Sequence, residues 1–123
     1  MSERNDKFCL KERLRNYALK VVDLYTTMPK DGAALVIGRQ LLRSGTSVGA
    51  HYREACRARS PLEFISKIEG GLQELDESDY WLDLLLASNL IPQTNLTFLI
   101  AETSELMAMM TASAKTAKGN LKK

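Results

Sequence analysis

The sequence predicts an all-α fold, an antiparallel up-down-up-down four-helix bundle with two long central helices. Three observations predict it. Apolar residues recur at spacings of three and four along four long segments. Prolines or capping residues punctuate the joints between those segments. Nothing alternates with a period of two over a useful length, so no strand is expected. Four amphipathic helices with short joints pack most simply as an up-down bundle, and 123 residues suffice for one such domain, 1–123.

The first segment runs from about Lys7 to Thr27, with Leu14, Tyr17, Ala18, Val21, Leu24, Tyr25 and Met28 in helical phase. Pro29 ends it, because proline disfavours the helical region for its predecessor. The second starts at Asp31 as N-cap and extends to about Arg59. Its middle, Ser44 to Gly49, is poor in helix formers, and propensity alone would place a loop there. The pattern nevertheless stays in phase. Gly38, Gly45, Gly49 and Cys56 fall within about 40° on a helical wheel, a stripe that admits a neighbouring backbone. An unbroken helix is the reading adopted.

The third segment opens on the sharpest local signal in the chain. Ser60 is the N-cap, Pro61 occupies the first helical position and Glu63 completes a capping box. The helix continues through Ile68, Leu75, Leu82 and Leu86 to about Asn89, weakened but not ended by Gly70-Gly71. After a short loop containing Pro92, the fourth starts near Asn95 and carries Leu99, Leu106, Met107 and Met110 on one side. It is expected to fray into a basic tail over 115–123. The central pair, near 29 residues each or about 43 Å, should form a hairpin around Ser60-Pro61.

Composition fits a globular chain: 45% hydrophobic, 26% charged and few glycines and prolines. No apolar run reaches the roughly 20 residues of a membrane span, and the first residues lack the apolar stretch of a secretory signal, so a cytoplasmic location is expected. Two cysteines, Cys9 and Cys56, do not make a disulfide framework, and each reads as a small hydrophobe or a free thiol. A single histidine and no C-x-x-C exclude a standard zinc pattern; no cofactor or metal is expected. Charge is unevenly laid out. Residues 1–61 carry 12 Lys/Arg against 6 Asp/Glu, residues 62–114 carry 1 against 9, and the tail carries four lysines. Such asymmetry suits contact between a basic and an acidic face, or a polyanion on the basic one.

Arg39, Arg43, Arg53 and Arg57 share about 80° of the second helix, on an arc apart from the apolar set. Guanidinium forks donate two parallel hydrogen bonds to phosphate oxygens, so the row, with Lys20 and the lysine tail, is a candidate nucleic-acid-binding surface. The competing reading pairs these arginines with Glu69, Glu74, Asp76, Glu77 or Asp83 of helix three, or with another subunit. Asp79 falls on the apolar arc of helix three and calls for a partner, an arginine by preference. Trp81 is read as a core or interface anchor. His51 has Ser47 one turn before it and Glu54 nearly one turn after; this is weak as catalytic machinery and reads as a satisfied polar cluster. Ser47, His51, Glu54, Glu74, Glu77 and Trp81 are therefore assigned structural or interface roles, and no residue is assigned catalysis. Asn95-Leu96-Thr97 matches a glycosylation acceptor by chance.

The stretch Arg43-Ser44-Gly45-Thr46-Ser47-Val48-Gly49-Ala50-His51-Tyr52-Arg53-Glu54-Ala55, then Ser60, Phe64 to Ile68, Glu74, Glu77-Ser78 and Tyr80-Trp81-Leu82, resembles the bacterial four-helix-bundle proteins encoded in intervening sequences of some 23S ribosomal RNA genes. The accessory protein of diversity-generating retroelements is a more distant relative. The resemblance covers about Leu14 to Lys118. It implies the up-down bundle, a homopentamer around a central channel and, for the retroelement branch, binding of nucleic acid and of a reverse transcriptase through basic surface. It implies no enzymatic activity. The family pattern usually carries asparagine where this chain has His51, so an amide gives way to a group that titrates. The function expected is that of a non-enzymatic homo-oligomeric RNA-binding accessory protein. The alternative is a protein-interaction scaffold whose basic stripe serves subunit assembly.

Overall fold

The computed structural model describes the backbone of residues 3–122 and the side chains of residues 10–122; Cys9 and the last lysine lie outside those side chains. Four α-helices follow one another: α1 (Glu3–Thr27), α2 (Gly32–Cys56), α3 (Pro61–Ser88) and α4 (Thr97–Leu121). They pack as an antiparallel bundle, with no strand among the described residues. The α2–α3 pairing is the most extensive and the α1–α4 seam the slightest.

The glycine-containing middle of α2 is helical throughout. The reason is visible across the seam with α1. A β-carbon on Gly45 would meet Val21, and one on Gly38 would meet Met28 and Tyr25. Gly49 lies against the backbone of Leu14. The close packing of α1 compensates for the poor intrinsic propensity of this stretch. Gly70 and Gly71 do the same for α3, admitting the His51 ring and the Val48 carbonyl of α2. Cys56, in phase with the α2 stripe, is exposed and takes no part in it.

Boundaries differ from expectation in four places. Helix α1 begins at Glu3, earlier than Lys7. Helix α2 stops at Cys56, three residues short of Arg59, so it has 25 residues; Asp31 takes the N-cap position without a side-chain cap bond. In α3 the Ser60 hydroxyl accepts from the Glu63 amide as expected, but the Glu63 carboxylate reaches back to the Arg59 amide, one residue further than in the standard box. Asn89 closes α3 in the left-handed conformation, φ 56°. The expected frayed tail is instead helix through Leu121, along which the Lys118 ammonium meets the Glu69 carboxylate of α3.

The core runs the length of the bundle through Leu14, Tyr17 and Val21 of α1, Leu41 and Val48 of α2, Ile68, Leu75, Leu82 and Leu85 of α3, and Leu99, Leu106 and Met110 of α4. Two hydroxyl pairs cross it. Thr103 donates to the Leu99 carbonyl at 2.6 Å, which leaves the Tyr17 phenol to donate to Thr103 Oγ1, also at 2.6 Å. Ser78 donates to the Glu74 carbonyl at 2.9 Å and accepts from Ser44 at 2.7 Å. Buried hydroxyls satisfied in this way favour one register of the helices over its neighbours.

Candidate nucleic-acid interface

Helix α2 turns Leu41, Val48, Tyr52 and Ala55 inward and leaves Arg39, Arg53 and Arg57 exposed on the opposite side. None of these three arginines forms an ion pair among the described residues. Arg39 and Arg57 are 18 positions apart, five turns of α-helix, so they project in the same direction about 27 Å apart. Arg53 stands one turn from Arg57 and slightly to one side.

Arg43, the fourth member expected in that row, is spent within the chain. Its guanidinium spans Glu74, at 3.2 Å, and Glu77, at 2.6 Å, across the α2–α3 seam. The Glu77 hydrogen bond, more than that of Glu74, raises the guanidinium above its ordinary value; reciprocally, Arg43 first and Glu74 second hold the Glu77 carboxyl below the usual carboxylate range. Position explains the difference. Arg43 lies about 40° from Arg39 towards the side on which Ser44 meets Ser78, so it alone of the four leans over α3.

Lys20 does not join the row. It is exposed on α1 with its ammonium 5.8 Å from the centroid of the Phe98 ring of α4. Of the lysines near the C-terminus, Lys118 is engaged by Glu69 while Lys115 on α4 and Lys122 at its C-cap are exposed. The exposed arginines Arg39, Arg53 and Arg57 thus form the candidate polyanion surface along α2.

His51 bears on Gly70, with Nδ1 3.8 Å from Glu54 and Nε2 3.9 Å from Glu74. Lys67 approaches Glu54 at 3.6 Å. The expectation of a satisfied histidine is corrected in one respect: Nδ1 is buried without a hydrogen-bond partner among the described residues, because the ring is set by packing on the glycine pair rather than by either carboxylate. Ser47 donates its hydroxyl to the Arg43 carbonyl at 2.7 Å rather than to His51.

The acidic side holds a second correction. Asp79 is exposed and makes no ion pair among the described residues, so it is not the buried carboxylate awaiting an arginine. It lies with Asp76, Tyr80, Trp81, Asp83 and Leu86 of α3 and Ile100 of α4 along a surface groove. Trp81 packs half-buried against the core, its ring centroid 5.1 Å from that of Tyr80. Its indole N–H is buried without a hydrogen-bond partner among the described residues.

A charge pair that sequence reasoning missed closes the α1–α4 seam. Arg13 Nε donates to Glu102 at 3.0 Å, with Glu105 at 3.4 Å from the same guanidinium. Glu102 is buried. The signal available was its phase: three residues after Leu99 and four before Leu106, Glu102 stands on the apolar face of α4.

The family model described as 23S rRNA-intervening sequence protein matches residues 8–112. The chain belongs to that family. A solved structure from the S23 ribosomal protein family of Bacteroides thetaiotaomicron, described as a protein with unknown function, is 31% identical and superposes with a TM-score of 0.82. The match covers 89% of this chain and 97% of that one. No curated protein matches the sequence. Membership of the 23S rRNA-intervening sequence protein family accounts for the bundle; it does not assign a ligand to the arginines. Among the described residues, no helix is long and apolar enough to cross a membrane and no group of His, Cys, Asp or Glu is arranged to hold a metal ion.

Proposed function

We propose that this protein is a non-enzymatic, homo-oligomeric RNA-binding accessory protein that acts in the cytoplasm. The observation that carries the reading is the set of three exposed guanidiniums, Arg39 and Arg53 on α2 and Arg57 at its C-cap, without ion-pair partners among the described residues. Such a surface binds phosphates by charge and by paired hydrogen bonds, without reading bases. A span of about 27 Å matches several nucleotides of extended backbone. One such patch binds weakly; a pentamer, the assembly that the family resemblance implies, repeats it and multiplies affinity through effective concentration. Gel-shift titration of a long RNA across salt tests the reading. Binding that weakens steeply with salt, and is lost in Arg39→Glu/Arg53→Glu/Arg57→Glu, supports it; no binding at low salt, or binding indifferent to the triple reversal, removes it.

A second reading, a scaffold whose basic stripe serves assembly, is favoured by one observation. Arg43 already takes Glu74 and Glu77 of α3, so carboxylates of this helix are competent partners for arginines of α2. An assembly that dissolves into monomers in high salt, together with no RNA affinity, selects it.

A further inference from the structure

The outward side of α1 carries an exposed stripe that neither the core nor the arginine row uses. Lys11, Arg15, Leu19 and Val22 fall within about 80° of one another. All four are exposed, the two apolar ones at 46% and 40%, and neither Lys11 nor Arg15 forms an ion pair among the described residues. The stripe is basic at its start, apolar at its end and about 16 Å long.

The groove along α3 has the complementary layout. Asp76, Asp79 and Asp83 lie along one side of the helix, exposed and without ion pairs among the described residues, followed by Leu86 with Ile100 of α4 beside it. Asp76 to Leu86 spans about 15 Å. Tyr80, 56% exposed, flanks it.

We propose that the α3–α4 groove is the seat of α1 from a second copy of this chain. The inference rests on the self-association proposed above and names its surfaces. Charge complementarity and length argue for this occupant, and the order of charges sets its direction. With the incoming α1 parallel to α3, Lys11 and Arg15 stand beside Asp76 and Asp79 while Leu19 and Val22 cover Leu86 and Ile100. Reversed, the cations would be laid on Leu86 and the apolar pair on the carboxylates, which costs desolvation without pairing. The two surfaces differ, so the contact is head-to-tail, and repetition closes into a ring if the rotation permits. Helix α2 takes no part, and its guanidiniums stay outside the contact.

Light scattering on the intact chain, with circular dichroism to confirm helix content, tests this. Expected are a wild-type mass that is a multiple of 13.8 kDa, a fall to the single-chain mass in Lys11→Glu/Arg15→Glu and in Asp76→Lys/Asp79→Lys, and recovery of the assembly when all four substitutions are combined. Leu19→Gln, a mild change at an exposed position, also lowers the mass at equal concentration. An associating wild type whose mass neither reversal changes overturns the groove assignment and leaves self-association standing. A wild type that is a single chain overturns both.

Discussion

Gly45 of α2 and Val21 of α1 approach so closely that a β-carbon on the glycine would stand 2.9 Å from Val21 Cγ2, with Cγ1 at 3.2 Å and Cβ at 3.4 Å. Valine is branched at Cβ and stiff, so its methyls cannot swing away as the end of a methionine does.

Gly45→Ala therefore pits a helix-propensity gain of about 1 kcal/mol against an overpacking cost of about 1–3 kcal/mol. Net destabilisation is expected, read as a lower urea midpoint. Gly119→Ala is the control. It lies in α4 with nothing within 4 Å of the added carbon, so the same substitution should raise the midpoint.

Tyr17→Phe should cost about 1–2 kcal/mol, since it removes the donor to the buried Thr103 hydroxyl. Burial, the dominant effect, pushes the Tyr17 phenol above its ordinary value against the opposing Thr103 hydrogen bond. Spectroscopic titration at high pH should show the Tyr17 phenol ionising above the ordinary tyrosine value of 10.0. Ionisation at or below that value would contradict the buried placement.

The Arg43–Glu77 link makes a pH-dependent contribution with a definite sign. The folded-state Glu77 carboxyl is held below its ordinary value of 4.5, chiefly by Arg43. Its contribution is thus fully present above the ordinary carboxylate range and is lost as pH falls through the lowered folded value. Wild type should exceed Arg43→Gln in urea midpoint at neutral pH, and the gap should narrow on acidification. A gap independent of pH between 6 and 3 would assign the difference to packing of the arginine stem.

For the RNA surface, each phosphate contact contributes about 0.7 to the slope of log affinity against log salt for single strands. Neutralising Arg39, Arg53 and Arg57 to glutamine should lower that slope by about 2, with equal losses for RNAs of unrelated sequence. The same change at Arg43 should leave the slope nearly unaltered, because that guanidinium is committed to Glu74 and Glu77.

Much of the bundle was written locally. Helical periodicity, the Ser60 cap and Pro61 all act within a few residues of themselves, so the α2–α3 hairpin was legible from the chain. The alignment of Gly38, Gly45 and Gly49 was equally legible, because spacings of seven and four residues are about two turns and one turn of α-helix, whatever they face. The end of α2 at Cys56 and the persistence of α4 to Leu121 were not, since intrinsic propensity is a weak guide to where a helix stops.

The sequence by itself determined which residues share a helix face: four arginines on one side of α2, carboxylates along α3, glycines towards a neighbour. Only the tertiary structure decided which of those residues meet. Arg43 found Glu74 and Glu77 while Arg39, Arg53 and Arg57 did not; Asp79 remained exposed; Arg13 and Glu102, 89 positions apart, closed the α1–α4 seam. The physical reason is that a wheel angle is a property of one helix, whereas an ion pair requires two side chains to arrive within a few ångströms, and that distance is set by how helices cross and slide in packing.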